Sequence, residues 1–136
     1  MKKTIIALFL IISLISAGCT SNRGPILKGT YQSEHTGDGY VIQLAFRPDD
    51  NSFVEYIDNR EVDKGIFEKG QNNSYDLKSE KQSFEIILNN EDSFSIMINK
   101  LNGGKPIQLT IIDKTPTYLS TSFDDVEAYK KLLEKE

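Results

Sequence analysis

The sequence predicts a mainly β domain: an antiparallel meander of eight or nine short strands that closes into a small barrel or a sandwich, followed by one C-terminal α-helix. Three observations carry this. From Gly29 onward apolar and polar residues alternate with a period of two, the pattern of strands buried on one face. Clusters of Gly, Asn, Asp and Pro interrupt that alternation every few residues, which is turn chemistry. Only beyond Ser122 does the period lengthen to that of a helix.

The chain begins differently. Lys2-Lys3 precede an apolar run from Ile5 to Ile15, and Ser16-Ala17-Gly18-Cys19 follow. A positive start, an apolar centre and small residues before a cut are the parts of a secretory signal. The run is too short to span a bilayer as a mature helix. Ser16-Ala17-Gly18-Cys19 resembles the lipobox of bacterial membrane lipoproteins, whose signal is cut before a cysteine that then carries lipid. The resemblance implies cleavage between Gly18 and Cys19, a diacylglyceryl group with palmitate-type chains on Cys19, and a place on the extracytoplasmic face of the cell membrane. Two acyl chains hold a protein stably, each buried methylene contributing about 0.8 kcal/mol. Lipid on Cys19 also removes the hazard of a free thiol in an exported chain that has no other cysteine.

The expected organisation is therefore a signal peptide over 1–18, a lipidated N-terminus and tether over 19–28, and one domain over 29–136. After cleavage 118 residues remain, with 14 basic and 20 acidic side chains and a formal charge of −6. That sign argues against a nucleic-acid partner, which needs clustered Lys and Arg. It argues equally against the domain lying flat on an anionic bilayer. With a single cysteine there is no internal disulfide, so burial of apolar surface has to hold the fold.

Taking the domain in order, Tyr40, Ile42, Leu44 and Phe46 share one face of a strand, and Pro48-Asp49-Asp50-Asn51 turns the chain. A strand over 53–57, a tight turn at Asp58-Asn59 and a strand over 61–67 make a hairpin. Gly70 to Asn73 turn again before Tyr75 and Leu77. Phe84, Ile86 and Leu88 alternate with Glu85, Ile87 and Asn89, Phe94, Ile96 and Ile98 with Ser95, Met97 and Asn99, and Ile107, Leu109 and Ile111, after the Asn102-Gly103-Gly104 turn, with Gln108, Thr110 and Ile112. Tyr118-Leu119 is the expected last short strand. Ser122 with an acid three residues on has the form of a capping box, and Phe123, Val126, Tyr129 and Leu133 line one side of a helix over 123–134.

Closing such a meander pairs its exposed edges, which favours a barrel. Lys28-Gly29-Thr30-Tyr31 resembles the Gly-x-Trp opening of lipocalin-like barrels, with Tyr for Trp, and the strand count extends the likeness to Leu119. The same Lys-Gly-x-aromatic pattern recurs at Lys64 to Phe67. The mature chain has six Phe and six Tyr, and an eight-stranded barrel holds its own side chains or one small ligand. Inward-pointing rings would leave little room.

Candidate chemistry is sparse. His35, the only histidine, sits in a Gly-rich loop without a nucleophile motif. One His and one lipidated Cys are too few for zinc, and no cofactor is expected. Asp49-Asp50-Asn51 and Asp124-Asp125 lack the twelve-residue calcium-loop pattern and read as turn formers and a helix cap. Glu55, Arg60, Glu61 and Asp63 flank one hairpin as a charged face, and Arg60, Glu61 and Asp63 are the candidate partner-binding residues. The expectation is a membrane-anchored lipoprotein, not an enzyme, that binds a protein or another envelope component. The alternatives are a lipocalin-like carrier of a small apolar ligand, or an inhibitor of an envelope-degrading enzyme, since membrane-bound lysozyme inhibitors resemble this chain in size and layout.

Overall fold

A computed structural model describes residues 26–119 and 122–134. Eight strands form one antiparallel sheet: β1 Gly29–Ser33, β2 Ile42–Arg47, β3 Ser52–Ile57, β4 Arg60–Lys69, β5 Ser74–Ser79, β6 Ser83–Ile87, β7 Ser93–Ile96 and β8 Ile107–Asp113. Their order, β6-β5-β4-β3-β2-β1-β8-β7, follows the chain except that β8 joins β1 and so curls the sheet round. The result is a nearly closed barrel rather than a sandwich. Among the described residues it is open between β6 and β7, which a turn over 88–92 connects but no ladder joins.

The alternation sets the core. Ile42, Leu44 and Phe46 on β2, Phe53 and Ile57 on β3, Leu77 on β5, Ile86 on β6 and Leu109 on β8 all point inward and are buried. Phe46 is the hub: its ring centre lies 5.6 Å from Tyr31, 6.4 Å from Phe53, 5.4 Å from Phe67 and 6.0 Å from Phe94. Phe84 packs against this core while partly exposed. The barrel is thus filled by its own rings, held in edge and tilted contacts that aromatic pairs favour.

Leu27, ahead of β1, is only 1 % exposed, and its N–H donates to the Tyr75 hydroxyl at 3.3 Å. It closes the end of the barrel that also carries the β2–β3 and β4–β5 turns. The Lys-Gly-x-aromatic pattern has a shared cause. A Cβ on Gly29 would collide with the carbonyl oxygen of Asp113 on β8, and one on Gly65 with that of Lys78 on β5. At both places the neighbouring strand crosses close to the glycine, and two residues later Tyr31 and Phe67 enter the core. Gly65→Ala is expected to lower stability by about 2–3 kcal/mol, read from the urea midpoint, because the clash is with backbone rather than with a flexible side chain.

Two elements differ from the sequence-based expectation. Tyr118-Leu119 is not a strand. Residues 114–119 instead cross the outside of β1, β2 and β3: Thr117 N–H donates to Thr30 Oγ1 at 2.9 Å, Leu119 N–H donates to the Tyr56 hydroxyl at 3.2 Å, and the Arg47 guanidinium lies 4.1 Å from the Tyr118 ring centre. β1 already has β2 and β8 as partners, and Pro116 lacks an N–H, so no ladder position is open to this segment. Leu119 covers Ala45, Val54 and Tyr56, which makes a second small core on the outer face.

The expected helix over 123–134 is shorter. It consists of α1, Val126–Lys130, and a 3-10 turn, Lys131–Leu133. The capping box does not form: Asp125 is the N-cap and makes no side-chain cap hydrogen bond, because its carboxylate is held by Arg60. A five-residue helix is too short to stand alone, and Tyr129, Leu132 and Leu133 pack on the main core. α1 lies at the barrel end opposite Leu27, beside Tyr40 and Asp58.

Candidate functional site

The hairpin that the sequence marks out lies at the end covered by α1, and the structure divides its charges into two groups. The first points into the barrel. Glu55 lies between Phe53 and Ile57 on β3 and shares their inward face; it is 1 % exposed. Opposite it, the β3–β4 register slips, so that Glu55 faces Asp63 while Tyr56 faces Glu61. Val62 is the extra residue of this bulge, which lets both Val62 and Asp63 turn inward. Asp63 is 7 % exposed.

The two carboxylates are bridged by one amide. Gln82 Nε2 donates to Asp63 Oδ2 at 2.8 Å and to Glu55 Oε2 at 3.1 Å. Ser79 Oγ donates to Asp63 Oδ2 at 2.7 Å, and the Lys64 N–H to Asp63 Oδ1 at 2.9 Å. Burial, reinforced by the neighbouring charge of Asp63, pushes the Glu55 carboxyl up to about 8, outweighing the opposing Gln82 hydrogen bond and Lys81 charge. At neutral pH Glu55 is therefore a protonated acid beside its partner, and the pair holds a proton inside the fold.

The second group points outward. Arg60 forms a two-pronged bond to Asp125, Nε to Oδ1 and Nη2 to Oδ2, each at 3.0 Å. Its guanidinium lies 4.0 Å from the Phe123 ring centre and 4.6 Å from that of Tyr129. These contacts dock the helix, and the Arg60 hydrogen bonds hold the Asp125 carboxyl below its usual range. Arg60→Lys should loosen α1, because an ammonium cannot replace a planar fork stacked on two rings. The check is faster amide exchange at Ala128 and Tyr129, with the barrel strands unchanged.

Of the candidate partner-binding residues, Arg60 is thus engaged with the helix, Asp63 with the buried pair, and Glu61 is exposed. Glu61 and Asp63 line a groove of about 290 Å³ with Lys64, Lys81 and Lys130. A wider groove of about 550 Å³ opens on the outer face of β1 and β8, lined by Gln32, His35, Gln108, Thr110 and Ile112 among others. His35 itself is exposed. Both grooves lie outside the barrel wall.

Asp49, Asp50 and Asn51 form the β2–β3 turn, where Asp50 accepts from the Ser52 N–H and hydroxyl and Asn51 adopts φ 55°. Asp124 and Asp125 lead into α1. Among the described residues no group of three or more His, Cys, Asp or Glu is arranged to hold a metal ion. Gly18 and Cys19 lie outside the described residues.

Sequence reasoning treats Glu55 as one of a set of surface charges; the structure buries it. The signal was present, since Phe53, Glu55 and Ile57 alternate on one face. Gln82 and Ser79 gave no such signal, because only the folding of the β5–β6 turn brings them to the pair. Comparison with protein-family models, with curated proteins and with solved structures finds no match.

Proposed function

We propose that this chain is a lipid-anchored extracytoplasmic lipoprotein whose barrel is a non-enzymatic binding module for a protein or another envelope component. The observation that carries the binding reading is the packing around Phe46: Tyr31, Phe53, Phe67 and Phe94 surround it, so a ligand engages the outside of the wall. An open apolar interior of about 300 Å³ would instead favour a carrier. The buried acid pair fits a structural role, since Glu55 is sealed from any substrate.

The anchor reading rests on Ser16-Ala17-Gly18-Cys19 and agrees with the direction of the chain. Leu27 enters at the barrel end opposite α1, so a lipid on Cys19 would turn that end to the membrane and the helix-covered end away. Residues 20–26 reach at most ~23 Å, at ~3.3 Å each, which keeps the domain near the surface. Among the described residues no helix is long and apolar enough to cross a membrane.

Metabolic labelling with radioactive palmitate tests the anchor: wild type should be labelled and Cys19→Ser should not. Equal labelling overturns it. Retention of an envelope component by the wild-type protein, measured with Glu61→Lys alongside, tests binding. No retained component overturns that half of the reading.

A further inference from the structure

Among the described residues β6 has a free edge. β6 and β7 are consecutive and start as a hairpin, with the Asn89 N–H donating to the Ser93 carbonyl at 2.9 Å, yet no ladder continues from that rung. The alternation of an antiparallel ladder says which groups are left over. Leu88 N–H donates to the Asn73 carbonyl and Ser79 N–H to the Gln82 carbonyl, so the even-numbered residues of β6 bond to β5. The backbone N–H and C=O groups of Ser83, Glu85 and Ile87 therefore face the opening. A groove of about 310 Å³ lies over it, lined by Glu85, Ile87, Ser95 and Gln108 among others. Ile87 is 66 % exposed.

One rung across this edge carries a single sign of charge, although the exposed Lys78 lies opposite Ser83 on the same face. Glu68 on β4 stands opposite Asp76 on β5, and Asp76 opposite Glu85 on β6, three exposed carboxylates in a row across three strands. Like charges directly opposite destabilise a sheet. Among the described residues no Lys or Arg forms an ion pair with any of the three. A fourth strand with a basic residue opposite Glu85 would extend the row and offset its repulsion. A second copy of this chain fits poorly, because antiparallel pairing of two β6 edges about Glu85 sets acid against acid.

We infer that β6 takes up an extended segment of a partner protein by strand addition, with a Lys or Arg opposite Glu85 and an apolar residue opposite Ile87. Main-chain hydrogen bonds would supply the attachment and the acid row the selection. The inference rests on the binding-module reading and is independent of the lipid anchor.

The test uses the full chain and a supplied probe, acetyl-Thr-Lys-Thr-Val-Thr-amide, whose Lys and Val are two residues apart as Glu85 and Ile87 are, at millimolar concentration, with amide exchange followed by NMR. The probe is expected to slow exchange at Ser83, Glu85 and Ile87 by roughly tenfold. The Glu-for-Lys peptide, and a probe N-methylated at alternate residues, should not. In Glu85→Lys the preference should invert towards the Glu peptide. No slowing with the Lys probe, or equal slowing with the N-methylated one, overturns strand addition. So does protection that grows with protein concentration alone, which would mean that a second copy occupies the edge. If wild type and Glu85→Lys retain the same envelope component equally, the edge is not its docking site while the binding reading stands; if neither retains any, the binding reading fails first.

Discussion

Glu55→Gln is expected to make the protein more stable than wild type at pH 9 and about equal to it near pH 4.5. The Glu55 carboxyl has an ordinary value of 4.5 and is pushed up to about 8 in the fold, by burial first and by Asp63 second. Between those two values the folded state binds a proton that the unfolded chain has released. Stability therefore falls as pH rises through this window, by at most about 1.4 kcal/mol per pH unit, and levels off above it. Gln keeps the size and the hydrogen bonds of the neutral acid and has no proton to lose, so the variant should lack this slope. The gain at pH 9 is on the order of a few kcal/mol, a large share of the stability of a small domain. Urea midpoints at several pH values measure it. Parallel curves for wild type and variant would show that Glu55 is not a buried neutral acid. Asp63→Asn should reduce the slope, since it removes the charge that helps to keep Glu55 protonated.

Phe46→Ala should cost about 3–5 kcal/mol, because a fully buried ring is removed and the four aromatic neighbours cannot all collapse into its space. For a domain of this size that is enough to unfold a sizeable fraction of the chain at 37 °C. The same variant bears on function. In a filled barrel the loss of Phe46 creates apolar space where none was used, so wild type should fail to bind small apolar dyes. A loss under about 1 kcal/mol, with dye binding already present in wild type, would mean that the interior is loosely packed and suited to a ligand.

Much of the barrel is legible residue by residue. Ile42, Leu44 and Phe46 lie inward as their spacing says, and the turns at Asp58-Asn59 and Asn72-Asn73 carry the positive φ angles that Asn and Asp tolerate. The same spacing already placed Glu55 with Phe53 and Ile57; what hid its role was the habit of reading a charge as solvated. Ala45 and Val54 are the reverse case. Their alternation puts them outside, and they are buried because residues 114–119 return over them much later in the chain. The helix is a third case. Its apolar spacing promises a longer element, but Arg60, far away on β4, takes the Asp125 carboxylate that would have capped it.

By itself the sequence determined which residues alternate, where the chain turns, and that burial without disulfides must hold a small β domain. Those features depend on a residue and its close neighbours, through backbone geometry and side-chain type. The tertiary structure alone decided the rest: the bulge at Val62 that brings Asp63 to Glu55, the cover over the outer face, and the opening beside β6 where the hairpin stops pairing. Each depends on which distant segment arrives alongside, and a local period carries no record of that. The proton on Glu55 belongs to the same class, since its retention is set by the walls around the carboxyl rather than by the carboxyl itself.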